Sequence, residues 1–429
     1  MALIREHLTI NNPLFFKRLD LGLSNWGTPQ SLQYYENMGS TSIGIPIGAL
    51  AATIDILKST GMIIEKNDII DNRVSNIQQE FFSELKFKGI LRDYQEGIVQ
   101  SCMNKTIGIV EAMTGSGKTI CFVALTVKRR EPTLILVNTI ELANQTIDSF
   151  LKFTNLKRED IGFIGDGKFE LQPVTVGLHQ TMAKLPTKTF AVIDERIGQV
   201  IADECHIVAA TSYFRTMTNL SAKYKFGFSA TPKRDDGLTQ VLHFASGPLI
   251  HKVPKDKLTG ILITPVLRRI KTNYSFPLIS SQEYGEMVSD LSIDKERNDL
   301  IVKTLVDDYK DKHICLLCTR LSQVEYLQEK LGDGAVSLTS KMNKKQRLKT
   351  MTQLKAGDKK IVVSTYGLFS TGIDIPQLEV LFMCAPLKSE VKLRQSAGRL
   401  MRKSRGKTEA TIVDFVDINV DILRYQATH

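Results

Sequence analysis

The sequence predicts an α/β protein of two tandem parallel-sheet lobes behind a small N-terminal accessory domain, and three observations carry this. From about residue 86 to 255, short β-branched runs alternate with helical stretches, at Thr133–Val137, Val174–Gly177, Val200–Ala202 and Lys225–Ser229. That is the rhythm of parallel strands covered by helices. It recurs from about 285 to 429, at Ile314–Cys318, Ile361–Ser364, Val380–Cys384 and Thr411–Phe415. Residues 1–85 have a composition of their own, with Trp26, further aromatic residues and two Gly/Pro breaks. A chain of 429 residues can bury a core in each of these regions. Residues 256–284, mixed strand and loop, are expected to link the lobes.

The N-terminal region carries six Lys/Arg against nine Asp/Glu, a net charge of −3, which leaves +13 on residues 86–429. Most of its rings, among Phe15, Phe16, Trp26, Tyr34 and Tyr35, are expected in the core of a small α/β domain. Lys17 and Arg18 are expected at its surface. The excess of positive charge elsewhere suggests a polyanionic partner. It gathers at Lys341, Lys344, Lys345, Arg347 and Lys349, and again at Arg399, Arg402, Lys403, Arg405 and Lys407.

Residues Ala112, Met113, Thr114, Gly115, Ser116, Gly117, Lys118 and Thr119 follow the short apolar strand Ile107–Val110 and precede a helical run ending near Arg130. Apart from Ala112 in the first glycine position, they fit GxxxxGK[ST]. Strand, glycine turn and helix form a cradle for phosphates. Backbone N–H groups face the β-phosphate, Lys118 adds charge at the β/γ-phosphates, and the Thr119 hydroxyl can ligate Mg²⁺. Some ninety residues later Val200–Ala202 leads into Asp203 and Glu204, with Cys205 and His206 following. Asp203 is expected to hold Mg²⁺ through water and Glu204 to orient or deprotonate the attacking water. An earlier run, Ala191–Glu195, also ends in Asp-Glu. Phe190, Ile193, Ile197 and Val200 recur there at three- to four-residue spacing, so Pro186 to Gly198 reads as a helix and the later pair is preferred.

Six scattered cysteines include Cys315 and Cys318 on one apolar strand, where alternation puts the sulfurs on opposite faces. No second Cys or His pair accompanies them, so core packing is expected rather than a metal. The sequence has no run of eighteen apolar residues and no apolar signal core near Met1, and a cytoplasmic protein of a bacterial or phage-infected cell is expected.

From residue 90 onward the ordered motifs resemble those of superfamily 2 helicases and translocases, whose two lobes are RecA-like. Leu91–Gln95 resembles the adenine-sensing segment, which implies that Gln95 and Arg92 contact the base. Asn138, Thr139, Gln180 and Thr181 match first-lobe positions that touch a nucleic-acid backbone. His206 and Ser229-Ala230-Thr231-Pro232 match elements coupling hydrolysis to lobe movement. In the second lobe, Thr319 and Arg320, then Ser364 and Thr365, resemble backbone-contacting positions. Thr371–Pro376 resembles the motif that meets both strand and nucleotide, implying nucleotide contacts by Gly372 and Asp374. Gln395–Arg402 matches QxxGRxxR, which implies a coupling role for Gln395 and catalytic roles for Arg399 and Arg402 beside Lys118, Asp203 and Glu204. The i, i+3 spacing of the two arginines puts both on one helical face, and a lobe supplying arginine makes hydrolysis depend on lobe closure.

Within the superfamily, Thr231–Gly237 and Leu291–Ile301 resemble the XPB/Rad25 group and phage branch-migration helicases of the UvsW type. Arg234, Asp235 and Asp236 would then form a junction element. Pro46-Ile47-Gly48 stands where such proteins show Pro-Arg-Gly. The resemblance implies an ATP- and Mg²⁺-dependent enzyme acting on duplex, forked or four-way DNA in replication, repair or recombination, with proteins of those processes as candidate partners. An RNA helicase of the DEAD/DEAH kind and an ATP-switched nucleic-acid clamp remain as alternatives.

Overall fold

The computed structural model describes all residues except 40, 74, 76, 77, 208, 209, 235, 255, 278–282, 374 and 429. The chain divides into two compact units, Met1–Lys257 and Leu258–His429.

The first unit opens with a helix (Ala2–His7), β1 (Thr9–Asn11) and a second helix, Pro13–Asp20. Asn12 caps that second helix by accepting from the Leu14 N–H at 3.1 Å, with Pro13 at its first position. β2 (Ser31–Gln33) pairs antiparallel with β1, and β3 (Glu36–Met38) with β4 (Ser42–Gly44), before the helix Leu50–Ser59. These pieces are too small to enclose a core alone. Ile4, Leu8, Tyr34 and Ala49 instead pack onto Val241 and Phe244 of the helix Thr239–Ser246. The N-terminal region therefore shares a compact unit and an apolar cluster with the first lobe.

Trp26 departs from the sequence expectation. It is 93% exposed on a tight turn, and only Tyr34 of the five rings is fully buried. The turn is built from polar contacts, with Arg18 Nε donating to the Ser24 carbonyl at 2.9 Å and Trp26 N to Ser24 Oγ at 3.3 Å.

The Pro46-Ile47-Gly48 turn is a docking point. A Cβ on Gly48 would lie 1.9 Å from the His243 carbonyl oxygen and 2.6 Å from that of Phe244. Backbone cannot swing aside as a side chain can. Gly48→Ala is expected to cost roughly 1–3 kcal/mol through overpacking, read as a lower thermal midpoint; an unchanged midpoint would contradict this contact.

The lobe itself is an eight-stranded sheet made of β5 (Ile107–Glu111), β6 (Thr133–Val137), β7 (Ile161–Gly165), β8 (Lys168–Glu170), β9 (Val174–Leu178), β10 (Gln199–Asp203), β11 (Tyr224–Ser229) and β12 (Leu249–Lys252). Their order is β12-β5-β11-β10-β6-β9-β7-β8, and every pairing is parallel except β7 with β8. Each central strand is buried along its length, as expected of a sheet covered on both faces. The helix Thr187–Asp194 separates the earlier Asp-Glu from the sheet, so β10 ends at Asp203 as the spacing predicted.

The second unit holds six parallel strands, β13 (Val266–Thr272), β14 (Ile314–Cys318), β15 (Ala335–Leu338), β16 (Ile361–Thr365), β17 (Val380–Met383) and β18 (Thr411–Asp417), ordered β13-β18-β17-β14-β16-β15. β13 lies in the stretch read from the sequence as a linker, yet seven of its residues pair with β18. On β14, Cys315 joins the apolar cluster on one face and Cys318 that on the other, as alternation required. Arg297, from the Leu291–Ile301 stretch, is buried with its Nε 2.7 Å from Asp417 Oδ1. Thr272 donates to the same carboxylate at 2.6 Å, and Arg297 also reaches the Cys384 carbonyl. Removing one partner of such a pair would leave the other charge buried, so it fixes these strands relative to one another. Among the described residues no helix is long and apolar enough to cross a membrane.

Candidate functional site

In the first unit the sequence-predicted residues gather at the C-terminal ends of β5, β6, β10 and β11, where α/β sheets bind ligands. β5 runs into Ala112, and the turn to the helix Lys118–Arg129 uses left-handed glycines, Gly115 at φ +85° and Gly117 at φ +79°. From below, the Tyr94 hydroxyl donates to the Ser116 carbonyl at 2.7 Å and Gln95 Nε2 to the same oxygen at 3.0 Å. A Cβ on Gly117 would fall 2.6 Å from that Gln95 nitrogen, so only glycine lets the loop sit this low.

Gln95 is 2% exposed, and its Oε1 accepts the Arg92 N–H at 2.9 Å. In this structure both ends of its amide therefore hold the loop and the start of its own helix. Arg92 is exposed, with Nη1 3.3 Å from the Tyr94 hydroxyl. Tyr94 was not singled out from the sequence, although its place beside Gln95 on one buried helix face was the available signal.

Lys118 lies 2.6 Å, Nζ to Oε1, from Glu204. Glu204 reaches it because the chain turns just past β10 in a left-handed conformation, φ +46°, uncommon for a residue with a side chain. Asp203, the last residue of β10, is buried and accepts the Glu204 N–H at 2.9 Å. His206 Nδ1 sits 2.7 Å from Ser229 Oγ and 3.5 Å from Glu204 Oε2. Ser229 Oγ also accepts the Thr231 N–H at 2.9 Å, and the Ser229 carbonyl accepts the Ala112 N–H at 2.9 Å. One chain of contacts therefore runs from lysine through glutamate, histidine and serine back to the phosphate loop. Cys205 lies behind it, its thiol pushed up to about 12 chiefly by burial.

The pocket's own chemistry fits a nucleotide triphosphate. Among the described residues, the Thr114 and Ser116 hydroxyls, buried in the loop beside a lysine and a helix N-terminus, have no hydrogen-bond partner. Among the described residues no group of three or more His, Cys, Asp or Glu side chains could hold a metal ion. A cation here would rest on Asp203, Thr119 and phosphate oxygens, as Mg²⁺ does when nucleotide brings it.

Arg234 of the expected junction element points inward. Its side chain is 5% exposed, with Nη1 3.0 Å from the His206 carbonyl and Nε 2.9 Å from Asp236 Oδ1. Burial raises the Asp236 pKa, but hydrogen bonds from Arg234 and the backbone outweigh that and hold it below the usual carboxylate value. Asp235 and, in the second unit, Asp374 lie outside the described residues.

The strand-contact candidates divide by exposure. Asn138 Nδ2 donates to the Glu204 carbonyl at 3.4 Å, and Thr139 caps the helix Ile140–Phe153. Gln180 is exposed and Thr181 half-buried. Arg320 is exposed, with Nε 3.2 Å from Ser289 Oγ, and Thr319 and Thr365 are half-buried. Ser364 is fully buried and donates to the Leu338 carbonyl at 2.8 Å, so it is closed to a strand; β16 turns it into the sheet.

Gly372 ends the helix Tyr366–Gly372, and Arg399 Nη1 donates to the next carbonyl, Ile373, at 2.7 Å. Gln395 is buried. The helix Glu390–Leu400 carries Arg399 but stops before Arg402, which forms a backbone bridge with Leu262. Past Leu400 the turn continues, with the Met401 N–H donating to the Ala397 carbonyl at 2.9 Å and the Arg402 N–H to the Arg399 carbonyl at 3.3 Å.

Comparison with known proteins settles the class. Residues 88–234 match the family described as type III restriction enzyme, res subunit, and residues 296–404 match the helicase conserved C-terminal domain. The chain is a superfamily 2 helicase. Such a helicase hydrolyses ATP.

This helicase is 26% identical over 369 residues to a protein named as an ATP-dependent RNA helicase of Acanthamoeba polyphaga mimivirus, covering 83% of this chain and 69% of that one. It is 22% identical over 377 residues to the DNA 3'-5' translocase XPB2 of Sulfurisphaera tokodaii, covering 78% and 83%. With the ATP-dependent DNA helicase uvsW of Enterobacteria phage T4 it shares 26% identity over 303 residues, 66% of this chain and 59% of the other. Among solved structures, S. cerevisiae Dbp5 bound to RNA and ADP BeF3 aligns over 76% of this chain and 83% of its own, with TM-score 0.57 and 16% identity, a likeness of fold.

Proposed function

We propose that this helicase is an ATP- and Mg²⁺-dependent DNA helicase or translocase working on duplex or branched DNA, in replication, repair, recombination or branch migration. The observation that carries the reading is the closed path Lys118–Glu204–His206–Ser229–Ala112. It makes the serine-threonine segment after β11 sense the catalytic carboxylate, so that nucleotide state and protein shape depend on one another. Lys118 binds phosphate, Glu204 holds the attacking water, and Arg399 and Arg402 stabilise charge on the transferring phosphoryl group. Mg²⁺, when bound at Asp203 and Thr119, neutralises developing charge on the phosphate oxygens.

DNA as substrate is supported by the +13 charge on residues 86–429 and by the two relatives whose names specify DNA. The mimivirus relative carries an RNA name, so RNA is the reading to test against. The N-terminal region serves as a selector of DNA shape through its exposed Trp26 and Lys17. An indole on a rigid turn suits stacking on an unpaired base.

ATP turnover measured side by side with single-stranded, duplex, forked and four-way DNA and with RNA tests this. Forked or four-way DNA should stimulate most, and Trp26→Ala should shrink its advantage over linear duplex at fixed salt. Stimulation by RNA alone would overturn the substrate, and hydrolysis without strand separation or movement would leave an ATP-switched clamp.

A further inference from the structure

The basic run after the arginine helix reads in sequence as a charged surface, but one member is inside. Lys407 is only 8% exposed. A turn from Ser404 folds the chain back, with Gly406 at φ +82° and the Lys407 N–H donating to the Ser404 carbonyl at 3.2 Å. This brings Lys407 Nζ to the Leu400 carbonyl and to the Arg402 carbonyl, the latter at 3.0 Å. The carbonyl between them, Met401, accepts the Ile263 N–H at 2.8 Å.

Three successive carbonyls at the end of the helix Glu390–Leu400 are therefore all occupied, two by one ammonium group. A helix terminus carries partial negative charge and leaves its last carbonyls without intrahelical partners, so a buried cation suits this place. Burial pushes the ammonium down to about 8, against the pull of the Glu379 carboxylate and with a further push from the Arg402 charge.

We propose that Lys407 is a positioning residue for ATP hydrolysis, whose buried ammonium fixes the turn carrying Arg402 at the end of the arginine helix. A free helix end would fray and let the backbone of residues 401–402 leave Leu262 and Ile263. Held, it gives the Arg402 side chain a single starting point, and the same turn anchors the end of the helix that carries Arg399. The residue type follows from the task. Leucine or methionine would fill the space but leave two carbonyls unpaired, and a short polar side chain would not span both.

The inference rests on the reading of Arg399 and Arg402 as the arginines of hydrolysis, and the test separates the two. Full-length Lys407→Met, Lys407→Arg, Arg402→Ala and parent are compared in nucleic-acid-stimulated turnover, well below their melting midpoints. Lys407→Met should lower kcat about tenfold or more with KM for ATP within about twofold, and Lys407→Arg should restore most of it. If Arg402→Ala is impaired while Lys407→Met turns over normally, the positioning role is overturned. A Lys407→Met defect that appears in KM and melting together, and that arginine does not restore, makes Lys407 structural and also overturns it. If Arg402→Ala itself hydrolyses at the parental rate, the reading beneath the inference fails first.

Discussion

Lys118→Ala should reduce ATP turnover by roughly 10³-fold or more, since it removes the charge that faces the transferring phosphates. The fold should survive the change. Lys118 extends from the first turn of its helix toward Glu204 and also approaches the Ala112 carbonyl at 3.4 Å. The second oxygen of Glu204 stays 3.5 Å from His206 Nδ1. Binding to nucleic acid should change little, as Lys118 is buried at the nucleotide loop. Phosphate release and filter binding on the same preparation decide it. Parental turnover would remove Lys118 from the site, and joint loss of binding and folding would make its contact with Glu204 structural.

Arg399→Ala should lower turnover by roughly 10³-fold if the arginine stabilises the transition state, with nucleotide affinity much less affected. Its guanidinium is already directed by a 2.7 Å bond to the Ile373 carbonyl, one residue past Gly372. Single-turnover hydrolysis read against nucleotide affinity separates the cases. Unchanged hydrolysis with weaker nucleic-acid binding would reassign Arg399 to the phosphate backbone.

The buried centre of both sheets was legible because β-branched runs there have no other use. β6 and β14 were delimited from sequence to the residue. What escaped lies at the margins. β12 and β8 border one sheet, β13 and β15 the other. An edge strand satisfies one neighbour and faces water, so it takes charges such as Arg268, Arg269 and Lys271 in β13, which erase the apolar signal. β7 was lost to its glycines; Gly162 is needed because a Cβ there would lie 2.3 Å from the Glu170 carbonyl oxygen.

The nucleotide loop and carboxylates were legible for a different reason, since their chemistry restricts residue type at fixed spacing. Side-chain direction was not. Gln95, Arg234, Ser364 and Lys407 all turn inward, and the polar partners that receive them come from distant sequence. Trp26 shows the reverse, a large ring grouped with the core that the structure leaves 93% exposed.

The contact of Gly48 with the helix Thr239–Ser246 sets an order of events during synthesis. About 195 residues separate Gly48 from His243, so at roughly 5–20 residues per second the N-terminal segment leaves the ribosome about 10–40 s before its docking surface exists. Ile4, Leu8 and Tyr34 must wait in water through that interval, exposed to capture by other chains. This segment is made well before the helix that receives it, and chaperone demand during production should centre on Ile4, Leu8 and Tyr34.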